Sequence, residues 1–169
     1  MMEASQNPLS RIRRNHALEH ATIHVLNQRY PRVSLVGRSD MRGFFLYADL
    51  PVEAVASAVE IALDRLRAGE KDLAVHPNCG TNMLTSGVLS GAAAYFSLLG
   101  VRSRSWRDRL DRLPLAIMAA IVGGMIAKPL GQRVQEKWTT DPNPGNLAIA
   151  SLQVTQRSGG KLFRVKTSD

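Results

Sequence analysis

Up to His76, apolar residues recur at the spacings of half-buried helices and strands; beyond it they run together. Residues 1–9 read as a loose tail. A helix is expected from Ser10, a capping side chain, to about Arg29, where Tyr30-Pro31 stops it. Val33–Gly37 and Phe44–Ala48 read as two short strands, joined by the turn Arg38-Ser-Asp-Met-Arg-Gly43. Pro51, favoured in a first helical turn, opens a second helix that ends at Gly69. Its residues Val52, Val55, Val59, Leu63 and Leu66 form one apolar stripe. Asp72–His76 reads as a third strand. The order α-β-β-α-β makes residues 1–80 a small α+β domain.

The pattern then changes. Met83–Val101 holds nineteen residues without a charge, and at ~1.5 Å rise per residue such a helix nearly spans a ~30 Å hydrocarbon core. Leu113–Ala127 adds fifteen more, which suffice for a span if Arg112 and Lys128 reach the interfaces with their charged ends. Gly87 and Gly91, and Ala116, Ala120 and Gly124, stand four apart, a spacing that lets helix backbones approach closely in lipid. Residues 81–131 are therefore expected to form a two-helix membrane hairpin, with homo-oligomer contacts through the small-residue faces. A soluble Ala/Gly-rich hairpin buried in a dimer is the alternative. Residues 132–169 follow as a linker, Thr139-Thr-Asp-Pro-Asn-Pro-Gly145, and a β-hairpin of Leu147–Gln156 and Leu162–Thr167 that can extend the N-terminal sheet.

Composition adds a charge of +8 and an aliphatic core with only 5% aromatics. A basic chain suits anionic lipid or nucleic acid. Arg11, Arg13, Arg14 and the five arginines of Arg102–Arg112 are the basic clusters, but Trp106 alone offers stacking within that loop and no recognition module is present. Lipid headgroups are the expected contact, and no nucleic-acid partner is expected. The single Cys79 excludes an intrachain disulfide and fits a reducing compartment. The first 15 residues are polar and basic, unlike a secretory leader. The positive-inside rule would place the Arg102–Arg112 loop in the cytoplasm, yet Arg65, Arg67, Lys71, Lys128, Arg133 and Lys137 flank the hairpin and nearly balance it. A leaderless domain of about 80 residues is expected to stay cytoplasmic. Neither a glycine-rich phosphate loop after a strand nor a nucleophile elbow is found.

Three of the four histidines, His16, His20 and His24, lie on the first helix. At about 100° per residue His16 and His20 share a face, with Glu19 beside them and Ile12 and Ile23 in the same sector. A carboxylate among isoleucines needs a cation. A metal held by the two imidazoles answers that need, and Arg13, at the edge of the sector, answers it in part. Two imidazoles at i and i+4 can share one zinc ion. A hydrogen-bonded polar cluster without metal is the plain alternative. His24 drifts off the face and reads as a surface or supporting group.

His16-Ala-Leu-Glu19-His20 is H-x-x-E-H, and in this the chain resembles the pitrilysin-like inverzincin metallopeptidases. The resemblance covers at most residues 10–76. It implies that His16 and His20 bind zinc and that Glu19 is the catalytic base, accepting a proton from water and passing it to the leaving amine of a peptide or membrane-protein substrate. Those enzymes are much longer, and their third ligand is a downstream glutamate. Here Glu53 and Glu60 lie on the polar side of the second helix and Glu136 lies beyond the hairpin. The segment "HPNCGTN", His76–Asn82, supplies the other candidates: His76 and Cys79, three apart, can complete a Cys-His-His set. The same segment also reads as a simple turn, with Thr81 or Asn82 capping the next helix.

"NHALEHATIHVL", "GRSDMRGF" and "HPNCGTN" before an apolar hairpin also resemble an uncharacterised bacterial membrane-protein family, a domain of unknown function. That resemblance implies the bacterial cytoplasmic membrane and carries no activity. Taken together, a membrane-associated zinc-dependent peptidase-like protein is expected. The alternatives are a non-enzymatic membrane protein that binds a metal or cofactor through the same histidines, and a structural membrane scaffold.

Overall fold

The computed structural model describes residues 7–99 and 106–168, which leaves Val101, the start of the Arg102–Arg112 loop and most of the N-terminal tail outside the described residues. The chain forms two compact units. One comprises the chain up to His76 and from Glu136 onward, and the other is Pro77–Gln135.

The first unit opens with α1, Pro8–Arg29. It starts before Ser10 because Asn7 takes the cap, its side chain accepting from Leu9 N at 3.0 Å, with Pro8 preset for the first turn. Strands β1 (Val36–Asp40) and β2 (Gly43–Ala48) follow. β1 lies three residues later than the apolar pattern suggested. The cause is Asp40, whose side chain accepts from Arg42 N at 2.7 Å and so holds the chain reversal at Met41-Arg42. Gly43, with φ 133°, packs its α-carbon against Val165 O, where a Cβ has no room. Helix α2 spans Val52–Arg67.

Asp72–His76 is not a strand. Lys71–Ala74 is a 3-10 turn, and Ala74 and Val75 give their carbonyls to histidine side chains instead of a sheet. The place beside β2 is taken by the C-terminal hairpin, β3 (Ala148–Arg157) and β4 (Gly160–Ser168). The sheet order is β1-β2-β4-β3, antiparallel throughout. Phe44 pairs with Val165 and Leu46 with Phe163, and all four are buried on one face. They join Leu18 and Leu26 of α1 and Val55 and Val59 of α2 in one core. On the other face Arg164 lies 4.2 Å above the Phe45 ring and 2.8 Å from Asp40. One apolar and one polar sheet face, with helices on the apolar one, is an α+β architecture.

In the second unit α3 (Gly80–Leu98) and α5 (Leu113–Val134) pack antiparallel, with the short α4 (Trp106–Asp111) before α5. The direction follows from the close approaches. A Cβ on Gly123 would lie 2.8 Å from Leu89 O, one on Gly124 3.0 Å from Ser90 Oγ, and one on Gly131 3.1 Å from the Asn82 α-carbon. As residue numbers rise on α5 they fall on α3. Gly87 and Gly91 have nothing within 4 Å of such a Cβ, so α5 supplies the close-packing glycines and the α3 pair does not. Cys79 occupies the N-cap position of α3, not Thr81 or Asn82, and the Asn82 amide donates to Pro77 O at 2.9 Å. α5 runs past Ala127 and through Pro129, and a single π-turn, Gln135–Thr139, carries it to the end of the segment. Among the described residues one helix, Leu113–Thr139, is long and apolar enough to cross a membrane.

Candidate metal centre

The histidines belong to α1, and their positions are set by what packs beside it. Ala17, Leu18 and Ala21 face the core, which leaves His16, Glu19, His20 and His24 along one flank. That flank is largely shielded from water. His20 is 1% and Glu19 4% exposed, and His16 and His24 are half-buried.

Two returning segments cover it. The stretch after α2 brings Ala74 O to 2.7 Å from His20 Nδ1 and Val75 O to 2.8 Å from His24 Nε2. The π-turn brings Thr139 O to 2.9 Å from His16 Nδ1. Arg13 donates to Lys137 O and Thr140 O at 3.0 Å, and Asp141 N donates to Arg13 O at 3.1 Å, which keeps this second segment in place. Arg13 therefore serves carbonyls of this segment, a different task from the partial counter-charge to Glu19 that the helical wheel suggested.

A carbonyl can only accept, so each of these ring nitrogens carries the proton. In the neutral imidazole the other nitrogen is then a lone pair: Nε2 in His16 and His20, Nδ1 in His24. Metal-binding histidines are usually held this way, with a carbonyl on the far nitrogen fixing tautomer and ring orientation. The His16 and His20 ring centres are 4.3 Å apart at 63°. His76 follows Val75 directly, so its ring enters the same row, 5.9 Å from His20 and 5.1 Å from His24. Burial first, then the neighbouring His24 and His20, pushes His76 down to about 4, so it is neutral at physiological pH.

Cys79 belongs to the second unit, three residues of chain from His76 and so within ~10 Å of it by covalent reach. His16 and His20 of the first unit each offer one ligand atom to a group that can hold a metal ion, and the sequence offers the Cys79 thiolate as a third. Two imidazoles and a thiolate suit zinc and other late first-row ions. Glu53 and Glu60 are exposed on α2. Glu19 turns toward β1, where its side chain lies against Gly37; a Cβ there would sit 2.7 Å from the Glu19 carboxyl carbon.

Sequence reasoning missed the supports. Asn15 is fully buried, donates to Asp40 O at 2.8 Å and accepts from Thr167 Oγ1 at 2.7 Å, tying α1 to the sheet. Carbonyls 74, 75 and 139 leave no sequence signal, because any residue supplies one. Gly37 was legible only as a strand end. A surface cavity of about 310 Å³ is lined by Leu66, Arg67, Lys71 and Pro142–Gly145 among others, none of them a histidine or Glu19.

Residues 11–152 match the profile of a family described as a domain of unknown function (DUF6391). The chain is also similar to an uncharacterised protein of Picosynechococcus sp. (strain PCC 7002), with 37% identity covering 88% of this chain and 75% of the relative. No solved structure matches it.

Proposed function

We propose that the chain, which belongs to the family described as a domain of unknown function (DUF6391), is a membrane-associated, zinc-dependent, peptidase-like protein. The observation that carries the reading is the pair His16 and His20, one helical turn apart, each with its Nδ1–H held by a backbone carbonyl and Glu19 between them. His16 and His20 would hold zinc through Nε2, and Cys79 is the third ligand the reading adopts. When bound, zinc supplies a Lewis acid for a peptide carbonyl and acidifies water toward ~7. The chain supplies the rest. Thr139 O and Ala74 O keep both imidazoles in one tautomer. Glu19 accepts the proton of the attacking water on a carboxylate oxygen and returns it to the leaving amine nitrogen. Gly37, by lacking a side chain, leaves the Glu19 carboxylate its place.

The hairpin supports membrane association. α3 buries no side chain, and Met83, Val88, Phe96, Met118 and Met125 are all at least half exposed, a larger apolar surface than a water-soluble monomer presents. We place the protein in the bacterial cytoplasmic membrane with the first unit on the cytoplasmic side, where the single thiol fits a reducing compartment.

The near-complete burial of Glu19 and His20 favours a second reading, in which the same residues hold a metal without catalysis. Two measurements separate them. Metal per chain, measured on detergent-purified protein beside His16→Ala/His20→Ala, is expected to be near one zinc in the wild type and absent from the variant; no metal in either, even after reloading, removes both readings. Glu19→Gln is expected to keep its metal and lose peptide cleavage. Cleavage that persists in Glu19→Gln, or that never appears in the wild type across membrane-protein and peptide substrates, retires the peptidase reading and leaves the metal-binding one.

A further inference from the structure

The proposed centre uses His16 and His20 and leaves two histidines of the same row unused. His24 has its Nε2–H on Val75 O, so its Nδ1 is a lone pair. The next residue but one along the Ala74–His76 stretch after Ala74 is His76, whose ring stands 5.1 Å from His24 at 70°. Two imidazoles that share one tetrahedral ion, each nitrogen ~2.0–2.1 Å from it, have ring centres roughly 5 Å apart. The His24–His76 pair already has that separation, whereas His16 and His20 stand closer, at 4.3 Å. Both rings are half-buried, so water can reach an ion there and fill its remaining positions.

We propose that His24 and His76 form a second metal-binding position, taking a late first-row divalent ion such as zinc, one ring away from the His16–His20 centre. The same 3-10 turn and the residues after it build both positions: Ala74 O orients His20, Val75 O orients His24, and His76 itself is the new ligand. The inference stands on its own geometry and does not need the peptidase reading. The position has two imidazoles and no thiolate, so it binds more weakly and exchanges faster than a Cys-His-His set. His76 lies 5.9 Å from His20, which makes the outer ion a neighbour of the inner one.

The test titrates zinc into the metal-stripped, detergent-solubilised full chain by calorimetry, with bound zinc counted after dialysis. The wild type is expected to bind two ions, one tight and one weak. His24→Gln keeps an N–H for Val75 O but lacks the imidazole lone pair. It is expected to lose the weak ion, or to weaken it beyond the ~10–100-fold typical of an outer-shell change, while the tight ion stays. His16→Ala/His20→Ala is expected to do the reverse. Cobalt gives an independent readout: the thiolate-to-cobalt absorption should follow the tight ion and be absent from the weak one. A single wild-type ion that survives His24→Gln overturns the second position and leaves the first. A single ion lost in both variants means one shared site and also overturns it. A weak ion that His24→Gln removes while His16→Ala/His20→Ala changes nothing upholds the second position and refutes the first.

Discussion

Gly37→Ala tests whether Glu19 is held where the fold puts it. Gly37 has an ordinary extended backbone, so alanine costs nothing in φ, and in a strand it should gain roughly 0.5–1 kcal/mol over glycine. The new methyl, however, lands on Glu19, 2.7 Å from its carboxyl carbon and 2.8 Å from Cγ. The contact involves the stem of the side chain as well as its tip, and Glu19 is only 4% exposed, so swinging away is not cheap. Overpacking of this kind costs about 1–3 kcal/mol. The net expectation is a loss of ~0.5–2 kcal/mol, or a fall in Tm of roughly 2–10 °C. The assay is thermal unfolding of the solubilised protein, run as a cycle with Glu19→Ala. In the Glu19→Ala background the obstacle is gone, and Gly37→Ala should become neutral or stabilising, a coupling of at least ~1 kcal/mol. Equal effects of Gly37→Ala in both backgrounds would refute the placement of Glu19 against β1, and with it the role given to the glycine.

Two further predictions concern the frame around the site. Asn15→Ala removes a buried donor and acceptor and leaves Asp40 O and Thr167 Oγ1 without it, a cost of about 2–4 kcal/mol in urea unfolding; a loss below ~0.5 kcal/mol would show that the tie between α1 and the sheet is not made by this side chain. At Asp40 partial burial pushes the carboxyl up, but the Arg164 hydrogen bond, the Arg42 N–H and the charge of both arginines outweigh it, and the pKa falls below its ordinary value of 3.8. A depressed carboxylate contributes stability above its unfolded pKa and loses it as pH falls through the folded one. The stability gap between wild type and Asp40→Asn should therefore be flat near neutral pH and close below about pH 4; a gap independent of pH would mean that the Arg164 pair contributes nothing.

The sequence was most readable where one residue decides its own environment. The α2 stripe of Val55, Val59, Leu63 and Leu66 is buried as spaced, and the H-x-x-E-H spacing by itself put His16, Glu19 and His20 on one flank of α1. It was least readable where the partner lies far along the chain. Asp72–His76 carries an extended, half-apolar pattern, and nothing local reveals that β4, almost ninety residues later, pairs with β2 and takes the neighbouring place. β1 slipped for a local reason of another kind: Asp40 is a turn residue through its side chain, while Val33 to Gly37 carry the better apolar pattern. His24 was put at the margin because helical spacing shows only which residues share a helix. It cannot show that Val75 and His76 arrive to make that margin an interior.

The same supports join the centre to the rest of the chain. Among the described residues, the carbonyls bonded to His16, His20 and His24 come from two segments, Ala74–Val75 just before the apolar hairpin and Thr139 just after it. Both belong to the first unit, and Arg13 holds the second of them at Lys137 and Thr140. An imidazole that binds metal through one nitrogen must keep its proton on the other, so an ion on His16 and His20 reinforces the bonds to Thr139 O and Ala74 O together. If the proposed ion binds there, its binding and the anchoring of residues 74–76 and 137–141 within the first unit would be one equilibrium. Stripping the ion should loosen residues 74–76 and 137–141 in step, as faster amide exchange in both segments. Loosening in one alone would mean that His16 and His20 do not share an ion.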